Sequence, residues 1–217
     1  MGAINFGDLA AQKVSKRIAA PVADMATLKG MTARERVLGM VAHVLADGSL
    51  WRYHDTSALT GDDILVSNPS DAPSAGRWLR MPTEATLVLP FTFATADAAA
   101  LLTLQAGQRL RIWDLAWLIG ASMTGGSTPA IGVSSNNAGL STKGDLLGGA
   151  TGDLTATLVA ATTPTPGTIG AKMNSLANQR VYLTSGNIVR FDRIASAFTA
   201  GSGSVLALCD IVNNDGA

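Results

Sequence analysis

The sequence predicts a mainly β protein: a small N-terminal β-meander module followed by a jelly-roll-like antiparallel β-sandwich. Three observations carry that expectation. Short runs alternate polar with apolar, Arg109-Leu110-Arg111-Ile112 being the clearest, and glycine-rich turns punctuate them at Gly125-Gly126-Ser127, Gly148-Gly149 and Gly167. Asp47-Gly48 stands between two apolar runs, a strong short-range hairpin signal. No charged residue falls between Asp114 and Lys143, between Asp153 and Lys172, or between Arg193 and Asp210. A free-standing domain carries roughly a quarter to a third charged residues on its surface. The three neutral tracts therefore read as surfaces covered by sister copies or by another protein.

The 217 residues divide by pattern into an N-terminal arm (1–23), a small β module (24–82) and the sandwich (85–217), with Pro82-Thr83-Glu84 as the boundary. Met1 to Pro21 is rich in small residues and partly basic, and Pro21 stops any short helix there. Its cluster of Lys13, Lys16 and Arg17 reads either as a frayed terminus or as an arm that orders against an acidic partner surface. Asp24 to Leu28 has the form of one helical turn, with Asp24 as N-cap and Gly30 as its end. Strands are expected at Val37–Ala46, at Ser49–Tyr53 after a two-residue turn, at Ile64–Val66 and at Arg77–Met81. Trp51, Tyr53 and Trp78 would fill a small core between them.

Beyond the boundary, strands are expected near Leu87–Phe93, Leu101–Leu104, Arg109–Ile119, Ala130–Val133, Leu154–Val159, Thr168–Met173, Val181–Leu183, Ile188–Ile194 and Val205–Val212. Val205–Val212 is apolar on both faces and reads as a central strand. Ala96–Leu101, rich in alanine, reads as a helical turn.

Composition excludes several functions. With 16 basic and 16 acidic residues the net charge is zero, so there is no global mark of nucleic-acid binding. Charged residues are 15% of the chain against roughly 25% in an average domain, which favours association. Cys209 is the single cysteine, so no internal disulfide forms. Met1–Leu9 lacks the basic start and apolar stretch of a signal peptide, and no apolar run approaches the ~20 residues of a membrane span. Synthesis in the cytoplasm and no membrane partner are expected.

Candidate chemistry is sparse. His43 and His54 are the only histidines, too few for a metal site by themselves. No G-x-S-x-G accompanies His54-Asp55. Asp145 and Asp153 each follow glycine and precede leucine; they read as turn residues first, then as weak Ca²⁺ ligands or a glycosidase pair. Arg190 and Asp192 share a strand face as a solvated or interfacial ion pair of little worth. Trp113 and Trp117, four apart, share a face and serve packing, subunit contact or glycan stacking. No catalytic residue, metal or cofactor is expected, and the chain reads as an assembly piece.

Two blocks carry a resemblance. Ala23-Asp24-Met25-Ala26-Thr27-Leu28, Leu50-Trp51-Arg52-Tyr53 and Gly76-Arg77-Trp78-Leu79-Arg80 mark Met25–Arg80, which resembles a small module of tailed-bacteriophage head-fibre and tail-fibre proteins. Ile131-Gly132-Val133, Lys143-Gly144-Asp145-Leu146-Leu147-Gly148-Gly149 and Gly167-Thr168-Ile169-Gly170 mark Leu89–Val212, which resembles C-terminal domains of phage capsid decoration proteins. The resemblance implies a virion cement protein outside the shell, bound to the major capsid protein and commonly trimeric. Under it, the arm would grip the shell and the sandwich would project. The alternative it leaves open is a tail-fibre or head-fibre module that binds receptor glycans. It transfers no motif residue by residue, so it names no site.

Overall fold

The computed structural model describes residues 21–71, 73–81, 84–124, 130–148, 165–166, 180–195 and 198–213. Lys13, Lys16, Arg17 and Asp153 lie outside them, as do the strands expected at Leu154–Val159 and Thr168–Met173. The chain forms two compact units, Met1–Pro82 and Thr83–Ala217. The described part of the second is built mainly from antiparallel strands, and the first holds a small antiparallel sheet, one short helix and long connecting segments.

In the first unit, helix α1 (Met25–Gly30) begins where Asp24 accepts hydrogen bonds from the Thr27 amide at 2.8 Å and hydroxyl at 2.9 Å. Those bonds hold the Asp24 carboxyl below its ordinary range. Strands β1 (Val41–His43), β2 (Leu50–His54), β3 (Val66–Ser67) and β4 (Arg77–Arg80) form a sheet in the order β1-β2-β4-β3. A strict meander would keep chain order; here β4 inserts between β2 and β3. Leu28, Met40, Ala42, Val44, Trp51, Tyr53 and Trp78 make the core, with the Tyr53 and Trp78 rings 5.2 Å apart. Gly76 adopts φ +100°, and a Cβ there would overlap the Tyr53 hydroxyl, so only glycine fits.

The hairpin loop is longer than Asp47-Gly48 alone predicts. Val44 donates to the Ser49 carbonyl at 2.8 Å, leaving Leu45–Gly48 as the loop. The amides of Leu45 and Ala46 donate to the carbonyls of Val22 and Ala23 at 2.9 and 3.0 Å, so this stretch holds the incoming chain instead of extending β1. The strand expected over Val37–Ala46 is shortened for that reason.

In the second unit, β5 (Glu84–Thr92), β7 (Gln108–Thr124), β10 (Val181–Thr184) and β12 (Ala200–Asn213) form the larger sheet in the order β10-β7-β12-β5. The short β9 (Thr165–Pro166) pairs with β7 at Ala116 and Trp117. The smaller sheet runs β6-β11-β8, from β6 (Ala99–Thr103), β11 (Ile188–Ala195) and β8 (Ala130–Ser135). The antiparallel pairs β5:β12, β6:β11 and β7:β10 are nested in the sequence, each enclosing the next. β12 is central in its sheet, flanked by β7 and β5.

Rings lock the two sheets together. Phe91 of β5 stacks on Phe191 of β11 at 4.8 Å and meets Trp117 of β7 edge-on at 5.7 Å. Gly203 of β12 leaves room for this packing: a Cβ there would lie 2.7 Å from the Leu118 carbonyl oxygen and 2.9 Å from Phe91 Cζ. The helical turn expected over Ala96–Leu101 does not form. Asp97 instead accepts the Arg193 amide at 2.9 Å, and Ala99 already pairs with Phe191 in β6. A tertiary partner outweighs alanine's local preference for helix.

Candidate functional site

A β-bulge decides which side chains of β7 face outward. On β12, Leu208 pairs with Asp114 and Cys209 with Ile112, so Trp113 is an extra residue in the ladder. Before it Leu110 and Ile112 point into the sandwich; after it Leu115, Trp117 and Ile119 do. The bulge corrects the expectation that Trp113 and Trp117 share a face. Trp117 is 1% exposed and belongs to the core, so it is not available to a glycan or a neighbouring subunit. Trp113 lies on the outer face between the guanidinium groups of Arg111 and Arg180, at 5.2 and 5.8 Å from its ring. Its indole N–H is shielded from solvent and unpartnered.

That outer face has two halves. In one, Tyr182, Arg111 and Asp210 stand in a cross-strand row over β10, β7 and β12, with Thr184, Arg109 and Val212 in the parallel row beside them. They line a cleft of about 430 Å³. Tyr182 is 62% exposed. Arg111 and Asp210 form an ion pair, while the Nε–H of Arg111 makes no bond. Arg109 is exposed and has no charged partner among the described residues. In the other half, Ala116, Leu206 and Val88 form a row across β7, β12 and β5, and Leu208 stands beside it. Val88 is 53% and Leu208 39% exposed, so this half is an apolar patch.

Asp97, Lys143, Arg190 and Asp192 tie down a loop. Asp192 is fully buried and accepts the Gly144 amide at 3.0 Å and Arg190 Nε at 3.2 Å. Arg190 also reaches Ser134 Oγ at 2.6 Å and the Ser141 carbonyl. The expected solvated pair is therefore an internal brace, covered by residues 141–147, whose Leu147 bridges back to Val133 of β8. Lys143 meets Asp97 and donates to the Arg193 carbonyl at 2.7 Å. Burial pulls the Asp97 carboxyl upward, but Lys143 and the Arg193 amide outweigh it and hold it below its ordinary range.

Asp145 is mostly buried and accepts the Thr142 amide at 2.7 Å, which makes it a turn residue of the same loop. Among the described residues no group of three or more His, Cys, Asp or Glu side chains is placed to hold a metal. Nor, among them, is any helix long and apolar enough to cross a membrane.

The residues of the outer face went unrecognised in the sequence except for Trp113. Arg111 and Asp210 lie 99 positions apart, and only strand register brings them together. Tyr182 did leave a trace, as the outward residue between the inward-facing Val181 and Leu183. Compared with known proteins, the chain matches no family model, no curated protein and no solved structure.

Proposed function

We propose that the chain is a non-catalytic structural protein of a tailed-phage virion, bound to the outside of the capsid shell through the major capsid protein and assembled as a homotrimer. The observation that carries the assembly reading is the apolar half of the outer sheet face. An antiparallel sheet that faces water alternates apolar-in with polar-out, whereas here Leu206, Leu208 and Val88 occupy outward positions on neighbouring strands. Burying such side chains against a sister copy is favourable by roughly 25 cal/mol per Å² of apolar surface. The shell attachment and the phage assignment rest on the resemblance of Met25–Arg80 and Leu89–Val212, with Lys13, Lys16 and Arg17 as the gripping cluster. Three weak arms on one rigid head raise one another's effective concentration, so none needs to bind tightly alone.

Two measurements test this. Light scattering on the purified protein is expected to give a trimer, and Val88→Asp with Leu208→Asp is expected to yield monomers with an unchanged circular dichroism spectrum. Deleting residues 1–20 is expected to abolish binding to empty capsid shells while leaving the trimer intact. A wild-type monomer defeats the assembly reading, and full decoration by the truncated chain defeats the role of the arm.

A further inference from the structure

We propose that the cleft between β10, β7 and β12 binds an acidic saccharide, a sugar ring that carries a carboxylate. The inference does not rest on the assembly reading, because none of Val88, Leu206, Leu208 and Ala116 lines the cleft, although Leu208 adjoins it, two residues from Asp210 on β12. Val88 on β5 and Tyr182 on β10 are three strand spacings apart across the sheet, about 14 Å in that direction, and stand in different cross-strand rows.

The lining supplies the three kinds of contact such a ligand needs. Tyr182 offers an aromatic face with 62% of its surface open, suited to the C–H face of a pyranose ring. Arg109 is an exposed guanidinium without a charged partner among the described residues, and its planar fork matches a carboxylate. Asp210 accepts from sugar hydroxyls through the oxygen not turned to Arg111, and Thr184 both donates and accepts. A cation and an anion in one cleft do not suit a plain anion, which Asp210 would repel. They suit a ligand that is charged at one end and hydroxylated along its ring. At about 430 Å³ the cleft lies within the ordinary range for small-ligand sites and takes a monosaccharide. Val212 closes the floor with an apolar surface.

Trp113 sets the edge of the site. It lies just beyond the lining, with Arg111 and Arg180 against its ring, so the exposed Arg180 adds a positive charge next to the cleft. A second acidic sugar of an oligosaccharide would run in that direction.

The test uses the full chain and ligand-observed saturation-transfer NMR. The probes are the methyl glycoside of N-acetylneuraminic acid, glucuronate, neutral methyl glucoside and acetate, each at millimolar concentration. At least one acidic sugar is expected to bind, with neutral glycoside and acetate weaker by about tenfold or more, because each lacks one of the two anchoring contacts. Tyr182→Ala and Arg109→Ala are each expected to weaken binding by about tenfold, and Tyr182→Phe by less than about threefold, since the ring face remains. Both side chains are exposed, so thermal melts of the variants check that the fold is retained. Absence of saturation transfer from every acidic sugar overturns the proposal. So does binding that Tyr182→Ala and Arg109→Ala leave unchanged, or acetate or neutral glycoside binding as tightly as the acid.

Discussion

Trp117 and Tyr182 show how differently two aromatic residues of one sheet behave. Trp117 is buried against Phe91, and Trp117→Ala removes a ring the sandwich cannot refill. The expected cost is about 3–5 kcal/mol, read as a lowered urea midpoint. Tyr182→Ala, on the open face, is expected to change stability by no more than about 0.5 kcal/mol in the same titration. A large loss at Tyr182 would mean that its ring supports the fold. At this scale the sequence held a usable clue to the bulge. Continuing the alternation of Leu110 and Ile112 would send Asp114 into the core, where an unpaired carboxylate is costly. One extra residue at Trp113 turns Asp114 out and Leu115 in.

Among elements, the loop at 141–147 is held by charged side chains of neighbouring strands and turns. Asp97, braced by Lys143 and the Arg193 amide, binds its proton less tightly in the folded protein than in the unfolded chain. Its contribution is therefore fully present above its ordinary value of 3.8 and is lost as pH falls below it. Hydrogen-exchange protection of the loop is expected to drop over that acid range in the wild type. In Asp97→Asn it is expected to start lower and change less. Equal acid sensitivity in both would assign the effect to another carboxylate. The strands themselves were largely legible, because β5, β10, β11 and the part of β12 from Val205 each alternate or run apolar; the Ala200-Gly201-Ser202-Gly203-Ser204 start of β12 carries no such pattern. What misled were segments held by remote partners, namely the short β1 and the turn at Asp97. No local pattern encodes a bond to residues far along the chain.

For the whole molecule, two units with separate cores imply that damage stays local. Trp78→Ala, which empties the centre of the first core, is expected to expose β1–β4 to limited proteolysis while the paired strands β5, β7, β11 and β12 of the second unit stay protected. Simultaneous cleavage of both would show that the units unfold as one. Fold class and a central β12 followed from the sequence alone, because alternation, turn glycines and apolar runs are local signals that each strand carries by itself. The division between open and covered faces did not follow. Pairing Arg111 with Asp210, burying Asp192 and placing Tyr182 over a cleft depend on register between strands up to 105 residues apart. Register is fixed only when the bulge at Trp113 and the rings of Phe91, Trp117 and Phe191 settle which side of each strand enters the core.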